Sequence, residues 1–412
     1  MESLLQSALS IQNWDDGRHS SWAKWVRFSH LSNGGVGKLR DSRGNGLTGE
    51  TPQSFSSRRL AVIPAGKRVA SQPPLTLNFV TNPGYLETES YTILPFSVTN
   101  SYKEWRMMMP NIWTHILFVD QLCEELDRKD LLETSPAPLH MGAQGPDPFF
   151  YHNFLPFLPD KKVAEIGMLM HTEKCGPFLM DMIERGKSEK NLIQAFILGF
   201  VSHHILDRHT HPYVHYHAGY EENKHQELEV LLDTVMLHRE RNLETWKNPV
   251  HKKIKIGKQI RPISSFMHSM LSHHYPEITT KHKKKVIQES FFHIQAAQRV
   301  LYDPWKWKNQ WFGSLVSSFS HQPIAEKRDF LNESRMEWYH PATNEKRAES
   351  FLDLYEQAKN EGTLLFQYIF EYWKTGSPDV LAHIQEIVGN ISYDTGEPLE
   401  KMLTNQYCHP IV

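Results

Sequence analysis

Cysteine is scarce. Cys123, Cys175 and Cys408 stand far apart among 412 residues, odd in number and without a CxxC pair. Neither a disulfide framework nor a thiolate zinc site is implied. Net charge is lacking too: 45 basic residues face 47 acidic ones, a formal −2. No polyelectrolyte field argues for nucleic-acid binding. No apolar run reaches bilayer-spanning length, so no transmembrane helix is expected. The first residues carry Glu2 and Asp15 and lack a basic start followed by an apolar stretch, so they do not read as a secretory signal. A reducing, cytoplasmic compartment is the expectation. Strand-like alternation is also missing after residue 110, and no internal repeat is evident.

What remains is ordinary in bulk and unusual in one respect. Hydrophobic residues make up 40% and charged residues 22%, enough to build a core at this length. Histidine is the outlier, with 24 residues, several-fold above the roughly 2% of an average chain. Histidine is a frequent metal ligand, and here it is clustered.

The chain divides in texture. Up to residue 108, Gly34-Gly35, Gly44, Pro73-Pro74 and Pro83-Gly84 interrupt every short apolar run. Residues 1–108 are expected to be a poorly structured extension. A start codon assigned too far upstream explains the segment equally well, with Met107-Met108-Met109-Pro110 as the natural beginning. Residues 109–412 are expected to form one helical domain. Ile112, Ile116, Val119 and Leu122 recur at helical spacing. A loop punctuated by Pro136, Pro138, Gly142 and Pro148 should follow. One or two helices should then break near Gly176-Pro177. Asn191–Asp207 is a strongly apolar helix candidate, ended or redirected near Pro212. Leu228, Leu231, Leu232 and Val235 mark the next helix, and the pattern stays helical beyond Lys252.

The chemistry-bearing residues lie on these helices. His203 and Asp207 stand four apart, as do His225 and Glu229, and four apart on a helix means one shared face. Asp233 continues the second stripe but lies too far along to touch His225, so it could only support another ligand. His211 sits before Pro212. His115 lies among Ile112, Ile116 and Val119, His171 follows Met168-Leu169-Met170, and Asp147 occupies the stiff turn Gly145-Pro146-Asp147-Pro148. Each piece alone has a plain explanation: a hydrogen-bonded core histidine, a surface pair, a turn. Their joint occurrence on elements expected to pack together is the stronger sign. His152, His204, His209, His215 and His217 read mainly as surface or supporting residues. A His/Asp/Glu set without Cys suits catalytic rather than structural zinc, and several zinc ions together suit phosphate-ester hydrolysis.

The ordered motifs Met109-Pro110-Asn111-Ile112-Trp113-Thr114-His115, Gly142-Ala143-Gln144-Gly145-Pro146-Asp147-Pro148-Phe149, His171, His203-x3-Asp207, His211-Pro212-Tyr213 and His225-x3-Glu229 resemble the zinc-dependent phospholipase C family. That family includes secreted bacterial phospholipases and alpha-toxins and is related in fold to single-strand nucleases. The resemblance implies an all-α, multi-helix bundle with a zinc cluster in a cleft. It implies one ion held by Asp147, His171, His203 and Asp207, and a second by His211, His225 and Glu229. A third would use His115, with Asp207 bridging. A water or hydroxide between the ions would attack phosphorus, with Asp147 as proton acceptor. Secreted members complete the third site with an N-terminal Trp, where this chain has Met109-Pro110 and an upstream extension. The ion count is therefore two or three. His211 keeps the local motif, while His215 stands as the alternative ligand because the spacing from Asp207 differs from the secreted enzymes.

The implied activity is phospholipase C-like hydrolysis of a phospholipid or small phosphate ester. Two rivals are a non-catalytic zinc-binding or partner-binding protein that keeps the fold, and a nuclease-like phosphodiesterase, which the near-neutral charge disfavours. Trp305, Trp307, Trp311 and Phe312 offer a surface for peripheral membrane contact, against the commoner role of helix packing. Lys281-His282-Lys283-Lys284-Lys285 reads as a solvated face.

Overall fold

The computed structural model describes residues 112–412 apart from 156–157, 159–161, 222, 313–316 and 326–327. The chain divides into two units, and the second, Asn13–Ser90, lies wholly outside the described residues. So does the extension expected over 1–108.

Thirteen α-helices follow one another among the described residues: α1 Trp113–Glu125, α2 Lys129–Thr134, α3 Pro136–Gly142, α4 Ala164–Thr172, α5 Cys175–Gly186, α6 Asn191–Ala218, α7 Lys224–Arg241, α8 Ile260–His274, α9 Pro276–Lys281, α10 Lys284–Leu301, α11 Trp307–Phe312, α12 Phe351–Thr375 and α13 Pro378–Val388. The fold is all-α. The sole sheet among the described residues is a two-residue hairpin, with β1 Trp338–Tyr339 antiparallel to β2 Lys346–Arg347, too short to leave an alternating pattern.

The arrangement is organised around α6. Its apolar residues do not form one stripe: Ile193, Ala195–Val201, Ile205, Leu206, Tyr213 and Val214 are all buried, and a helix apolar all round belongs inside a bundle. It packs against α1, α3, α5, α7, α8 and α12. The outer helices are amphipathic. On α12, Phe351, Leu354, Ala358, Leu365 and Ile369 are buried. That helix begins at a capping box, where Ser350 and Asp353 exchange hydrogen bonds, and ends at Gly376 in the left-handed region, which satisfies orphan groups at both ends. Tyr355 of α12 donates to Gln121 of α1 at 2.8 Å, and Arg241 of α7 reaches Glu124 of α1 at 2.6 Å.

Three local expectations are corrected. The loop expected from Pro136 contains α3, because Pro136 and Pro138 lie in its first turn, where a missing N–H costs little. The break near Gly176-Pro177 falls at Glu173–Lys174, where Lys174 takes φ +53°, and Pro177 sits in the first turn of α5 for the same reason. Pro212 does not end α6, which runs on to Ala218. Proline removes one hydrogen bond, to the carbonyl of residue 208, and burial on all sides holds the remainder.

The aromatic run is not wholly packing: Trp305 and Trp311 are 83% and 81% exposed. Lys281, Lys283 and Lys285 are exposed, as a solvated face requires.

Trp338→Ala removes a fully buried indole and should cost about 3–5 kcal/mol in denaturant unfolding. Burial depresses His217 from 6.5 to about 4, with His409 adding to it, and burial together with Arg299 and nearby lysines depresses His251 from 6.5 to about 4. The fold holds both neutral, while the unfolded chain protonates them below about 6.5. Stability should therefore fall as the pH drops from about 6.5 toward 4, a loss that His217→Asn and His251→Asn should reduce in melts against pH.

Candidate metal centre

Four elements converge on the middle of α6. That helix supplies His203, Asp207 and His211, one turn apart on a common face. α7 supplies His225 and Glu229, α1 supplies His115, α4 supplies His171 from its last turn, and the short turn Asp147–Phe149 supplies Asp147. Gly145 has φ +48°, and a Cβ there would stand 2.1 Å from Cδ2 of His203. Glycine thus lets the Asp147 turn lie directly against the His203 ring.

Three of the sets that could hold an ion match the sequence expectation. Asp147, His171 and His203 present ligand atoms within 4.8 Å of one another, as do His115, His203 and Asp207, and His211, His225 and Glu229. His171 Nε2 lies 3.4 Å and His203 Nε2 3.7 Å from Asp147 Oδ1. His203 Nε2 lies 3.0 Å from Asp207 Oδ2. The other oxygen, Asp207 Oδ1, is 3.4 Å from His115 Nε2 and 3.5 Å from His211 Nε2. Glu229 Oε1 is 3.1 Å from His225 Nε2 and 3.7 Å from His211 Nε2. A tetrahedral zinc at about 2.0–2.1 Å from each ligand spaces the ligand atoms by roughly 3.3 Å, and these separations bracket that value.

The polar atoms also fit a cation better than one another. Both Asp207 oxygens and His203 Nε2 are buried yet make no hydrogen bond, although they approach to 3.0 Å. Such a group is costly to bury without compensation. The far side of two rings is settled. His171 Nδ1 is 2.7 Å from Gly167 O and His203 Nδ1 is 3.1 Å from Ala143 O. A carbonyl only accepts, so Nδ1 carries the proton and Nε2 keeps its lone pair toward the carboxylates.

Burial opposes ionisation of Asp207, but His203, His211 and His115 outweigh it and hold the carboxyl far below its usual range. Burial likewise opposes charge on Glu229, and His225 and His211 reverse it. His115 is lowered by burial and by His203.

The cluster lines two adjoining hollows, one including His115, Asp207 and Asp233, the other Asp147, His171, His215, His225 and Asp394; His211 and Glu229 line both. His211 groups with His225 and Glu229, while the His215 ring stands 4.7 Å from that of His225. His215 is buried, with neither ring nitrogen hydrogen-bonded, and groups with His211 and Asp394. His204 is also buried, its Nε2 2.9 Å from Ile391 O. These two rings are therefore not surface residues. His209 pairs with Glu361 at 3.0 Å. Asp233 supports the site as a helix cap: its carboxylate accepts from the backbone N–H of Trp113 at 2.8 Å and of Thr114 at 2.7 Å, tying down the start of the helix that carries His115. Asp394 carried no signal in the sequence, since no histidine stands at helical spacing from it. A further group, Asp181 with His273 and His274, lies apart, and Arg185 already holds Asp181 at 2.7 Å.

Helices that bury a histidine–carboxylate cluster with metal-site spacing define the class of protein. Residues 114–284 match the model of the family described as zinc dependent phospholipase C, and over that segment the chain is similar to this family. The matched segment contains every ligand expected from the motifs. No curated protein and no solved structure matches the chain.

Asp207→Ala should remove at least one zinc per chain, as read by elemental analysis, whereas His209→Ala should leave the zinc content unchanged. Asp233→Ala leaves two backbone donors at the start of α1 without their acceptor and should cost about 1–2 kcal/mol in thermal unfolding.

Proposed function

We propose that the chain is a zinc-dependent hydrolase of phosphate esters, with phospholipase C-like action on a phospholipid. The observation that carries this reading is the carboxylate of Asp207, buried with one oxygen turned to His203 and the other to His115 and His211. A carboxylate shared in this way suits ions placed close together, and zinc ions there would supply Lewis acidity toward a phosphoryl oxygen and acidify water.

The chain's own residues have separable tasks. Asp147, His171, His203 and Asp207 would hold one ion, and His211, His225 and Glu229 a second. His115 with Asp207 would hold a third. The Gly167 and Ala143 carbonyls orient the His171 and His203 rings. Asp147 turns Oδ1 toward both rings, and its carboxylate would accept a proton during attack on phosphorus. Leu206, Val214 and Leu232 contribute apolar walls to the hollow beside His115, which limits water there. The exposed indoles of Trp305 and Trp311 provide apolar surface for contact with a lipid interface.

Purified protein should hydrolyse a chromogenic phosphodiester, lose that activity with a chelator and regain it with zinc. Asp147→Asn should lower kcat by about 10²–10⁴-fold. Zinc bound stoichiometrically without turnover on diesters, monoesters or phosphatidylcholine would instead support a non-catalytic zinc protein. Cleavage confined to single-stranded DNA would support the nuclease reading.

A further inference from the structure

Asp394 lies outside the family-matched segment, on a strap that runs from Gly389 to the C-terminal residues along α6. The strap is fastened at several points. Ile391 O meets His204 Nε2 at 2.9 Å, His409 N donates to Tyr216 O at 2.8 Å, and Ile411 N donates to His217 O at 2.7 Å. Between these anchors the chain turns sharply: Gly396 N donates to Ser392 O at 3.1 Å, and Ser392 Oγ accepts from Asp394 N at 3.2 Å. Gly396 has φ +64°, and a Cβ there would stand 2.2 Å from Arg208 O. That carbonyl is the one whose helical donor Pro212 removes. The proline and the glycine together make the seat in which the turn lies.

The turn delivers a carboxylate to one ring. Asp394 Oδ1 is 3.6 Å from His211 Nδ1, while His211 Nε2 faces Asp207 and Glu229. His171 and His203 have carbonyls at Nδ1, whereas Nδ1 of His115, of His225 and of His211 makes no hydrogen bond, the last with Asp394 Oδ1 standing beside it at 3.6 Å. Among the rings of the described site, His211 is the one that faces a carboxylate on its far side.

We propose that Asp394 is a positioning residue for His211. Its negative charge, 3.6 Å away, favours the proton on Nδ1 and so leaves the Nε2 lone pair toward Glu229, the part that carboxylates behind metal-ligating histidines play. This inference rests on the zinc reading above. It extends the centre beyond residues 114–284 and gives the C-terminal strap a part in metal affinity.

The test uses the full chain and zinc dissociation constants from chelator competition. Asp394→Ala, and Asp394→Asn, which keeps the shape and removes the charge, should weaken one ion by about 10–100-fold and leave the others at wild-type affinity. In a His211→Ala background the same changes should have no further effect, since the contribution passes through that ring. Wild-type affinity for every ion in both variants overturns the proposal. So does a loss spread equally over all ions, or one that persists without His211. A wild-type chain that binds no zinc overturns the zinc reading itself, and the proposal with it.

Discussion

A carboxylate buried in the middle of a 28-residue helix, with imidazole nitrogens 3.0–3.5 Å away from three directions, constrains everything around it. Burying a charge without compensation costs several kcal/mol, so Asp207 requires the rings, and the rings require the elements that carry them. His203 and His211 come with α6 itself. His115 needs α1 laid across it, and α1 in turn depends on the Asp233 cap from α7 and on the Tyr355–Gln121 bond from α12. The bundle's packing order follows from the needs of one charge as much as from apolar area.

Two other carboxylates serve this arrangement without belonging to the matched ligand set. Asp233 holds a helix start and thereby a ring position. Asp394 sits behind His211, brought there by a strap whose turn fits only because residue 396 has no side chain and residue 212 has no N–H. In both cases an acidic residue acts on the centre through geometry.

Much of this was legible in the chain. Helical spacing found α1, α6 and α7, and the four-residue His/acid intervals placed His203 with Asp207 and His225 with Glu229 on common faces, which the distances reproduce. The limits were physical. Pro136 and Pro212 read as breakers, but the first occupies a helix start and the second a helix whose burial outweighs one lost hydrogen bond. Spacing alone left His211 and His215 as alternatives, because the distance of each from His225 depends on how α7 lies against α6. Asp394 was invisible, since its proximity to His211 comes from a return of the chain that no local pattern encodes. Trp305 and Trp311 read as core by residue type, yet they are exposed.

The Asp233 cap joins residues 119 and 120 positions apart in sequence, so no local fragment contains the cluster, and the centre comes into being only as the whole bundle closes. Contacts this distant slow closure, and affinity for an ion becomes inseparable from the folding equilibrium. Free zinc then acts as a folding variable. A metal present at a hundredfold excess over its dissociation constant would add about 2.7 kcal/mol to the folded state for each site of this kind, and the melting temperature of the chain would then follow the metal buffer.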